Sequence, residues 1–404
     1  MIFYPIKFRG ISLYRRPEVP LGLLGWQGIV PCKTKTMSEA LVNMVTSELL
    51  TVPDAFAKLN PRKLAKLLAP QVPDLGSKVI SNVLAEKHAI KTIASFPFNL
   101  WTGVTRHLTA MFQIVDVHIL TSVFQDLIQN CQSIFSLENC VVNQMLMDQA
   151  KLGELFQKVG QKELDFLTNS GLWFGFLLGL IQLAVALVWE NPWALSIGGM
   201  IVGLATNWLA LKWIFEPIHP TKIGPFTIQG MFLRRQPEVA AEFSKFFASK
   251  IVNSKQMWNS ILTDPLTTPA LAGVMSRHVR RLLNIVSFGL FQARPTSGTV
   301  SMVTMETIKQ LPSHLSEGLH QYVDKALGLE AILRVRMEAM SPEKFERVLH
   351  PIFEQDELTL ILAGGVLGFA AGLIQQGIET GAIKLSNPLP RIKRIAKSIW
   401  RTLK

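Results

Sequence analysis

The sequence predicts a mostly α-helical integral membrane protein with about three transmembrane helices and two helical lobes arranged as a tandem repeat. Three observations predict it. Gly171–Trp189, Trp193–Leu211 and Leu358–Ile378 hold no charged residue. Each is close to the roughly 20 residues that cross a hydrocarbon core about 30 Å thick at about 1.5 Å rise per residue. Gly175-Phe176-Leu177-Leu178-Gly179-Leu180-Ile181-Gln182 returns 193 positions later as Gly368-Phe369-Ala370-Ala371-Gly372-Leu373-Ile374-Gln375. The stretches between the uncharged windows carry helical periodicity, without the alternating pattern of an extensive sheet.

The first helical lobe is read over residues 1–170. Met37, Ala40, Leu41, Met44, Val45 and Leu49 fall at close to helical spacing in Met37–Leu50. Leu100–Leu127 continues the pattern, and Pro61 and Pro73 stand near helix starts. A transmembrane helix over 171–192 closes this half and ends at Glu190-Asn191-Pro192, a turn that begins a new helix. The helix over 193–215 opens the second half, so the pair reads as a transmembrane hairpin. The second lobe covers 216–357, with Lys325–Val348 helical and short strands fitting around Phe226–Phe232. The third transmembrane helix is 358–378, and 379–404 is a basic amphipathic tail.

The repeat extends beyond the eight-residue motif. Glu163-Leu164 corresponds to Glu357-Leu358, Gln27-Gly28-Ile29 to Gln229-Gly230-Met231, and Met1–Ile6 to Trp213–Ile218. Basic residues follow in both halves, Lys33 and Lys35 in one and Arg234-Arg235 in the other. A period near 200 residues is too long for a solenoid and fits two tandem domains. Met1 aligns with the end of the Trp193–Leu211 span, so the first half is expected to lack its opening helix because the sequence starts late. Both lobes are then expected on one side of the membrane, with the 190–192 turn and the tail on the other.

Hydrophobic residues are 49% of the 404 positions and charged residues 17%, low polarity for a soluble chain of this size. The net charge of +12 points to an anionic partner. It concentrates at the end: residues 378–404 carry seven basic groups against one acidic. No aromatic platform or zinc spacing accompanies it, so the lipid bilayer, with anionic lipid headgroups at its surface, is the expected partner, and no nucleic acid is. The three cysteines, Cys32, Cys131 and Cys140, form no disulfide framework and read as core or interface residues. Met1–Pro5 shows no basic segment followed by an apolar run, as a cleavable signal would.

Thr206-Asn207-Trp208-Leu209-Ala210-Leu211-Lys212-Trp213-Ile214-Phe215-Glu216-Pro217 resembles the T-N-W-x-A-x-K-x-x-F-x-P signature of the domain-of-unknown-function 445 membrane protein family (YheB/YjiN-like). Gln229–Arg235 is similar to that family's G-x-I-P-x-R/K segment. Leu233 stands where proline is usual, and the first half keeps the proline as Pro31. The G-F-x-x-G-L-I-Q ending also resembles the family's closing helix. The resemblance covers essentially the whole chain. It implies an integral membrane protein with a helical lobe between terminal spans, and no established activity. It leaves plastid, mitochondrial and other membranes open.

Gly175, Gly179, Gly368 and Gly372, spaced by four, put a flat groove on a helix face that lets another helix approach backbone to backbone. Gly198, Gly199 and Gly203 give the second span a similar surface. Helix packing is the first reading of these glycines and substrate contact the second. Asn207 sits in the last turns of a span, where a buried amide needs a partner. An interhelical hydrogen bond is the favoured reading, an ion or solute contact the alternative. Gln182 and Gln375 hold equivalent positions and are expected to pair across a pseudo-two-fold interface, with a solute pathway the weaker alternative. Trp189, Trp193, Trp208 and Trp213 cluster at span ends, at headgroup depth, and Lys212 snorkels there. Glu163 and Glu357 read as interfacial charges.

In the tail, Ile392, Ile395, Ala396, Ile399 and Leu403 make one helix face. Arg391, Lys393, Arg394, Lys397 and Arg401 lie on the rest, a design for an anionic membrane surface. A targeting or protein-binding helix is the other reading. No nucleophile turn, phosphate loop or H-E-x-x-H occurs, and the eight histidines are scattered. No catalytic residue, metal site or cofactor is therefore assigned. The sequence points to a non-enzymatic membrane-organising or lipid/protein-interacting scaffold, with a small-solute or ion transporter as the alternative. It says nothing of oligomeric state.

Overall fold

The computed structural model describes residues 3–11, 18–22, 24–86, 117–188, 193–291 and 295–379. The 190–192 turn, the stretch 100–116 and the tail with Arg391, Lys393, Arg394, Lys397 and Arg401 lie outside them. The protein is mostly helical. In chain order the helices are α1 (Ile29–Cys32), α2 (Thr34–Met44), α3 (Val52–Phe56), α4 (Pro61–Leu68), α5 (Val72–Glu86), α6 (Val117–Gln129), α7 (Cys131–Ile134), α8 (Leu137–Met147), α9 (Gln149–Val159) and α10 (Gln161–Val188). After them come α11 (Ala194–Phe215), α12 (Met231–Arg234), α13 (Gln236–Phe246), α14 (Ser254–Thr263), α15 (Thr268–Phe291), α16 (Ser297–Gln310), α17 (Glu317–Leu327), α18 (Leu329–Glu338) and α19 (Pro342–Glu379). A π-helical turn ends α2 at Val45–Leu49, and another ends α13 at Phe247–Ile251.

Strands are few. β1 (Arg9–Ile11), β2 (Leu21–Gly22) and β3 (Leu24–Trp26) form an antiparallel sheet in the order β1-β3-β2. β4 (Thr221–Ile223) and β5 (Phe226–Ile228) form a hairpin whose turn uses Gly224 at φ +61°. The strand expected around Phe226–Phe232 stops at Ile228. The chain turns where Gly230 N donates to Pro217 O at 3.0 Å, and α12 follows.

The chain divides into two compact units. The lobe unit joins residues 1–159 to 236–340. The two stretches read as separate lobes from the sequence thus share one core. α5 packs on α16 and α6 on α15, and polar ties join the same stretches. Asn82 Nδ2 donates to Glu306 Oε1 at 2.6 Å, His278 Nε2 lies 3.0 Å from Asp126 Oδ2, and Asn139 Nδ2 donates to Asp264 Oδ2 at 2.8 Å. Leu41, Leu49, Leu152, Leu155, Phe243, Phe247 and Leu319 are among the fully buried side chains. Burial of an aliphatic or aromatic side chain of this size contributes about 1.5–3 kcal/mol each.

Helix starts in this unit are set by local chemistry. Asn60 Oδ1 accepts from Arg62 N and Lys63 N ahead of Pro61, so α4 starts there. Ser136 and Ser316 cap α8 and α17, and Gly328 at φ +58° ends α17. Asn253 and Gln256 make a reciprocal capping box at α14. Elements also recur at steady spacing. α1, α2 and the first π-helical turn have counterparts 202 residues on, and α6, α8 and α9 have counterparts 180 residues on. Gln27 Nε2 donates to Ile6 O at 2.7 Å, and Gln229 Nε2 donates to Ile218 O at 3.2 Å.

The span unit holds residues 160–235 and 341–404. Three of its segments, Gln161–Val185, Ala194–Phe215 and Glu357–Ile378, are long and apolar enough to cross a membrane, with mean hydropathies of 1.4, 1.6 and 1.9. Few of their residues are buried, 6%, 22% and 11% of an 18-residue window in each. Leu172, Trp173, Phe176 and Val366 are exposed. α10 begins at Gln161, after a break at Gly160, whereas α19 runs unbroken for 38 residues.

Asn253→Ala removes the α14 cap and should lower stability by about 1 kcal/mol. Urea unfolding of the detergent-solubilised chain, followed by far-UV circular dichroism, measures this; an unchanged midpoint would remove the capping box from the account of α14.

Candidate functional site

Every polar or glycine position singled out within the three spans lies on α10, α11 or α19. α11 and α19 run antiparallel along a seam of glycines. A Cβ on Gly199 would run into Gly368 O, and one on Gly203 into Gly364 O. From the other helix, a Cβ on Gly368 would meet Gly199 O, and one on Gly372 would meet Leu195 O. Only glycine permits this approach of backbone to backbone. Gly365 makes room for the Leu204 side chain.

Amide and hydroxyl groups fasten the seam at both ends. Asn207 Nδ2 donates to Leu360 O at 2.8 Å. Ser196 Oγ donates to Gln376 Oε1 at 2.9 Å. Asn207 therefore takes the interhelical position favoured from the sequence. Gln182 and Gln375 are not brought together. Gln182 Nε2 donates to Leu195 O at 3.1 Å, across the α10–α11 hairpin, and its side chain lies against Gly198. Gln375 is exposed. Its neighbour Gln376 faces α11, because one residue turns a helix by about 100°.

The four motif glycines divide in the same way. Gly368 and Gly372 are packed, whereas a Cβ on Gly175 or Gly179 would meet nothing within 4 Å. Packing thus describes the second copy of the motif, and in the first copy the face is open among the described residues.

The start of α10 and the end of α11 are tied by charge and rings. Arg235 Nη1 lies 2.6 and 2.8 Å from the two Glu163 carboxylate oxygens, with 16% and 7% of the side chains exposed. Glu163 is therefore a buried ion-pair partner, where the sequence suggested an interfacial charge. Phe232 stacks on Phe345 with ring centroids 5.2 Å apart and meets Phe215 at 5.8 Å. Trp208 and Trp213 are half exposed, and Lys212 Nζ sits 4.9 Å from the Trp208 ring centre while pairing with Glu216 at 3.2 Å. Sequence reasoning missed Arg235–Glu163 and Ser196–Gln376. The Gly364-x₃-Gly368-x₃-Gly372 spacing was a visible signal for the extended seam.

The lobe unit holds buried titratable groups, but their geometry is structural. Ser254 Oγ lies 3.0 Å from His320 Nδ1, and Asp324 Oδ1 accepts from Ser254 N at 2.7 Å. The carboxylate thus orients the serine backbone rather than the imidazole, and Ser254 is fully buried, so the trio is not a nucleophile relay. Burial pushes the Cys140 thiol up to about 11, which keeps it protonated at neutral pH. An apolar cavity of about 110 Å³ lies among Val72, Val79, Phe124, Trp258 and Val279. Among the described residues no group of three His, Cys, Asp or Glu side chains could hold a metal ion. What this arrangement does chemically is hold helices together, in the spans by backbone contact and in the lobe by buried polar ties.

Two outcomes follow from this geometry. Gly368→Leu should open the α11–α19 seam and cost about 1–3 kcal/mol or more by overpacking, while Gly179→Leu should leave thermal unfolding in detergent micelles unchanged. Equal stability of the two variants would contradict the seam. Burial holds the His320 pKa below its ordinary 6.5, so the unfolded chain binds that proton more readily than the folded one. Stability should fall as the pH drops from about 7.5 to about 5.5, and His320→Asn should flatten that dependence. Melting curves across this range decide it; a variant as pH-sensitive as the parent would remove His320 as the cause.

No known protein family, curated protein or solved structure matches this chain.

Proposed function

We propose that the chain is an integral membrane protein that organises a membrane without catalysing a reaction, its helical lobe and basic tail engaging lipid or protein at the surface. The observation that carries the reading is the division of labour within the span unit. The apolar faces of three helices are left uncovered, while Gln182, Ser196 and Asn207 are bonded to neighbouring helices. An uncovered apolar helix face is stable against lipid and costly against water. The inward groups also weigh against the alternative, a small-solute or ion transporter. Asn207 and Gln182 each donate an amide N–H to a carbonyl of the neighbouring helix, and no midspan break in α11 or α19 offers a binding site of the kind duplicated transporters use.

Two further elements belong to this reading. The steady spacing of counterpart helices supports a tandem duplication, in which Glu163-Leu164 and Glu357-Leu358 precede matching closing spans. The Thr206–Pro217 residues support kinship with the domain-of-unknown-function 445 membrane proteins.

The test has two parts. Membranes from cells expressing the chain are washed with alkaline carbonate, and the protein is expected to stay in the pellet. A detergent-free, monodisperse product in the supernatant would end the membrane reading. A peptide of residues 379–404 is then floated with phosphatidylcholine vesicles, with and without phosphatidylserine. Binding should require phosphatidylserine and be lost on replacing Lys393, Arg394 and Lys397 by Glu, since each basic residue near an anionic surface contributes about 1 kcal/mol. Binding that ignores both changes would remove the tail from the proposal.

A further inference from the structure

A concentration of unbalanced charge in the lobe unit lies on α4. Leu64, Ala65 and Leu68 form its buried side. Arg62, Lys63 and Lys66 stand exposed on the other, and Lys58 is exposed just before the helix. At about 3.6 residues per turn, positions 62, 63 and 66 share one helix face. Other exposed cations of this unit stand beside carboxylates. Lys78 lies 3.0 Å from Asp74, Lys255 2.7 Å from Glu317 and Arg334 2.8 Å from Glu338. Among the described residues, Lys58, Arg62, Lys63 and Lys66 have no such partner, and Asp54, the nearest acid in sequence, pairs with none of them.

The elements packed on α4 supply no counter-charge. α6 brings one acid, Asp126, which lies 3.0 Å from His278 Nε2. α17 presents Tyr322, whose hydroxyl accepts from Asn60 N at 3.0 Å and whose ring centre lies 5.9 Å from Lys63 Nζ. Lys325, exposed, follows one turn along the same face of α17. The acids of α17 lie on its opposite face, where Glu317 pairs with Lys255 and Asp324 Oδ1 accepts from Ser254 N at 2.7 Å. The residues outside the described ones hold only two acids, Asp116 and Glu190. The local fold does not require the charges either. Asn60 Oδ1 accepts from Arg62 N across Pro61 at 3.0 Å, and Asp264 Oδ1 accepts from Leu266 N across Pro265 at 3.0 Å. In that matching turn, Leu266, Thr267 and Ala270 stand where the first has Arg62, Lys63 and Lys66.

We propose that this face, Lys58, Arg62, Lys63 and Lys66 with Lys325 beside them, docks the lobe unit on the surface of an anionic lipid bilayer. The proposal rests on the membrane reading above and gives the lobe a lipid contact of its own, separate from the tail. Cations strung along a helix face suit headgroups spread over a plane, and attraction to such a surface acts through charge alone. Single-stranded nucleic acid would add bases stacked on open rings, and the ring of Tyr322 is taken by Lys63.

The test uses the full-length chain with Lys393, Arg394 and Lys397 replaced by Glu, so that the tail does not contribute. It is shown to resist carbonate extraction and is then placed in bilayer nanodiscs of phosphatidylcholine, with or without phosphatidylserine. Phosphatidylserine vesicles are added to a portion of the phosphatidylcholine sample, and a short DNA duplex to another. Lysines are acetylated briefly with a water-soluble reagent, and mass spectrometry reads the rate at each. Acetylation of Lys58, Lys63 and Lys66 should slow about threefold or more with phosphatidylserine, in the nanodisc or added, since each basic residue strengthens such binding about fivefold. The effect should vanish in about 1 M salt, where charge is screened within about 3 Å. Arg62→Glu with Lys66→Glu, two exposed positions, should return Lys58 and Lys63 to their rates in phosphatidylcholine. Rates that ignore phosphatidylserine, or protection that survives the two substitutions or the salt, would overturn the proposal. So would lysines already protected in phosphatidylcholine alone, which would show the face covered by protein, and stronger protection by DNA than by phosphatidylserine. A chain released by carbonate would overturn the membrane reading and this inference with it; a retained chain without the lipid effect would overturn this inference alone.

Discussion

The contact on which the span unit depends is the approach of α11 to α19 without intervening side chains. On the membrane reading proposed above, hydrocarbon gives two apolar helices no reason to leave lipid for each other, so association has to come from close packing and from polar groups that lipid cannot satisfy. Gly199 and Gly203 on one helix and Gly364, Gly368 and Gly372 on the other remove the side chains that would hold the backbones apart. Ser196 and Asn207 then close the two ends of the seam, about 16 Å apart at a rise of about 1.5 Å per residue. Bonds at both ends fix the register as well as the direction. Sliding one helix by a turn would break both bonds and bring Leu195 or Asn207 against a surface cut for glycine.

The antiparallel seam has a consequence at the end where α11 stops. Phe215, where α11 ends, and the pre-span turns of α19 come together there, so Phe215, Phe232 and Phe345 form one aromatic cluster. The buried Arg235–Glu163 pair brings the start of α10 to the end of α12. A buried pair is weak evidence of net stability, but removing one partner leaves an uncompensated charge and costs about 3–5 kcal/mol. Its value here is as a register mark, since it ties α10 to the segment that follows α11. In the lobe unit, polar ties serve the same end. Asn82–Glu306, Asp126–His278 and Asn139–Asp264 link residues more than a hundred positions apart, so neither stretch of the lobe can reach its native packing without the other.

Much of this was legible in the sequence because it obeys local periods. The three uncharged windows, the Gly-x₃-Gly spacing, the amphipathic Met37–Leu50 stretch and the interhelical role of Asn207 each depend on residues within one helix. What was not legible depends on which helix lies opposite. Gln182 and Gln375 are identical in motif position, yet one bonds across the hairpin to Leu195 O and the other is exposed. The motif states that a glutamine follows the glycines, and nothing in it states which neighbour is within reach. The same holds for the lobes. A repeat of about 200 residues suggests two bodies, but the apolar stripes of α5 and α6 do not say that their partners are α16 and α15 of the other stretch. Arg235 and Glu163, 72 positions apart, fall outside any helical period and could be paired only in three dimensions.

The unequal fates of the two glycine faces follow from the same logic. A glycine inside a helix is about 1 kcal/mol less favourable than alanine, so three of them on one face cost α10 about 3 kcal/mol relative to an alanine stripe. On α19 the seam offsets that cost through contact and bonded ends. On α10 the described structure shows the cost without the contact, although the neighbouring Gln182 and Phe174 are both engaged with α11. Tolerance alone does not account for this, because the surrounding positions Leu172, Trp173, Phe176 and Leu177 are large apolar residues suited to lipid, and only the three on the stripe are minimal. A helix meant to face hydrocarbon on that side would be better served by leucine at all of them.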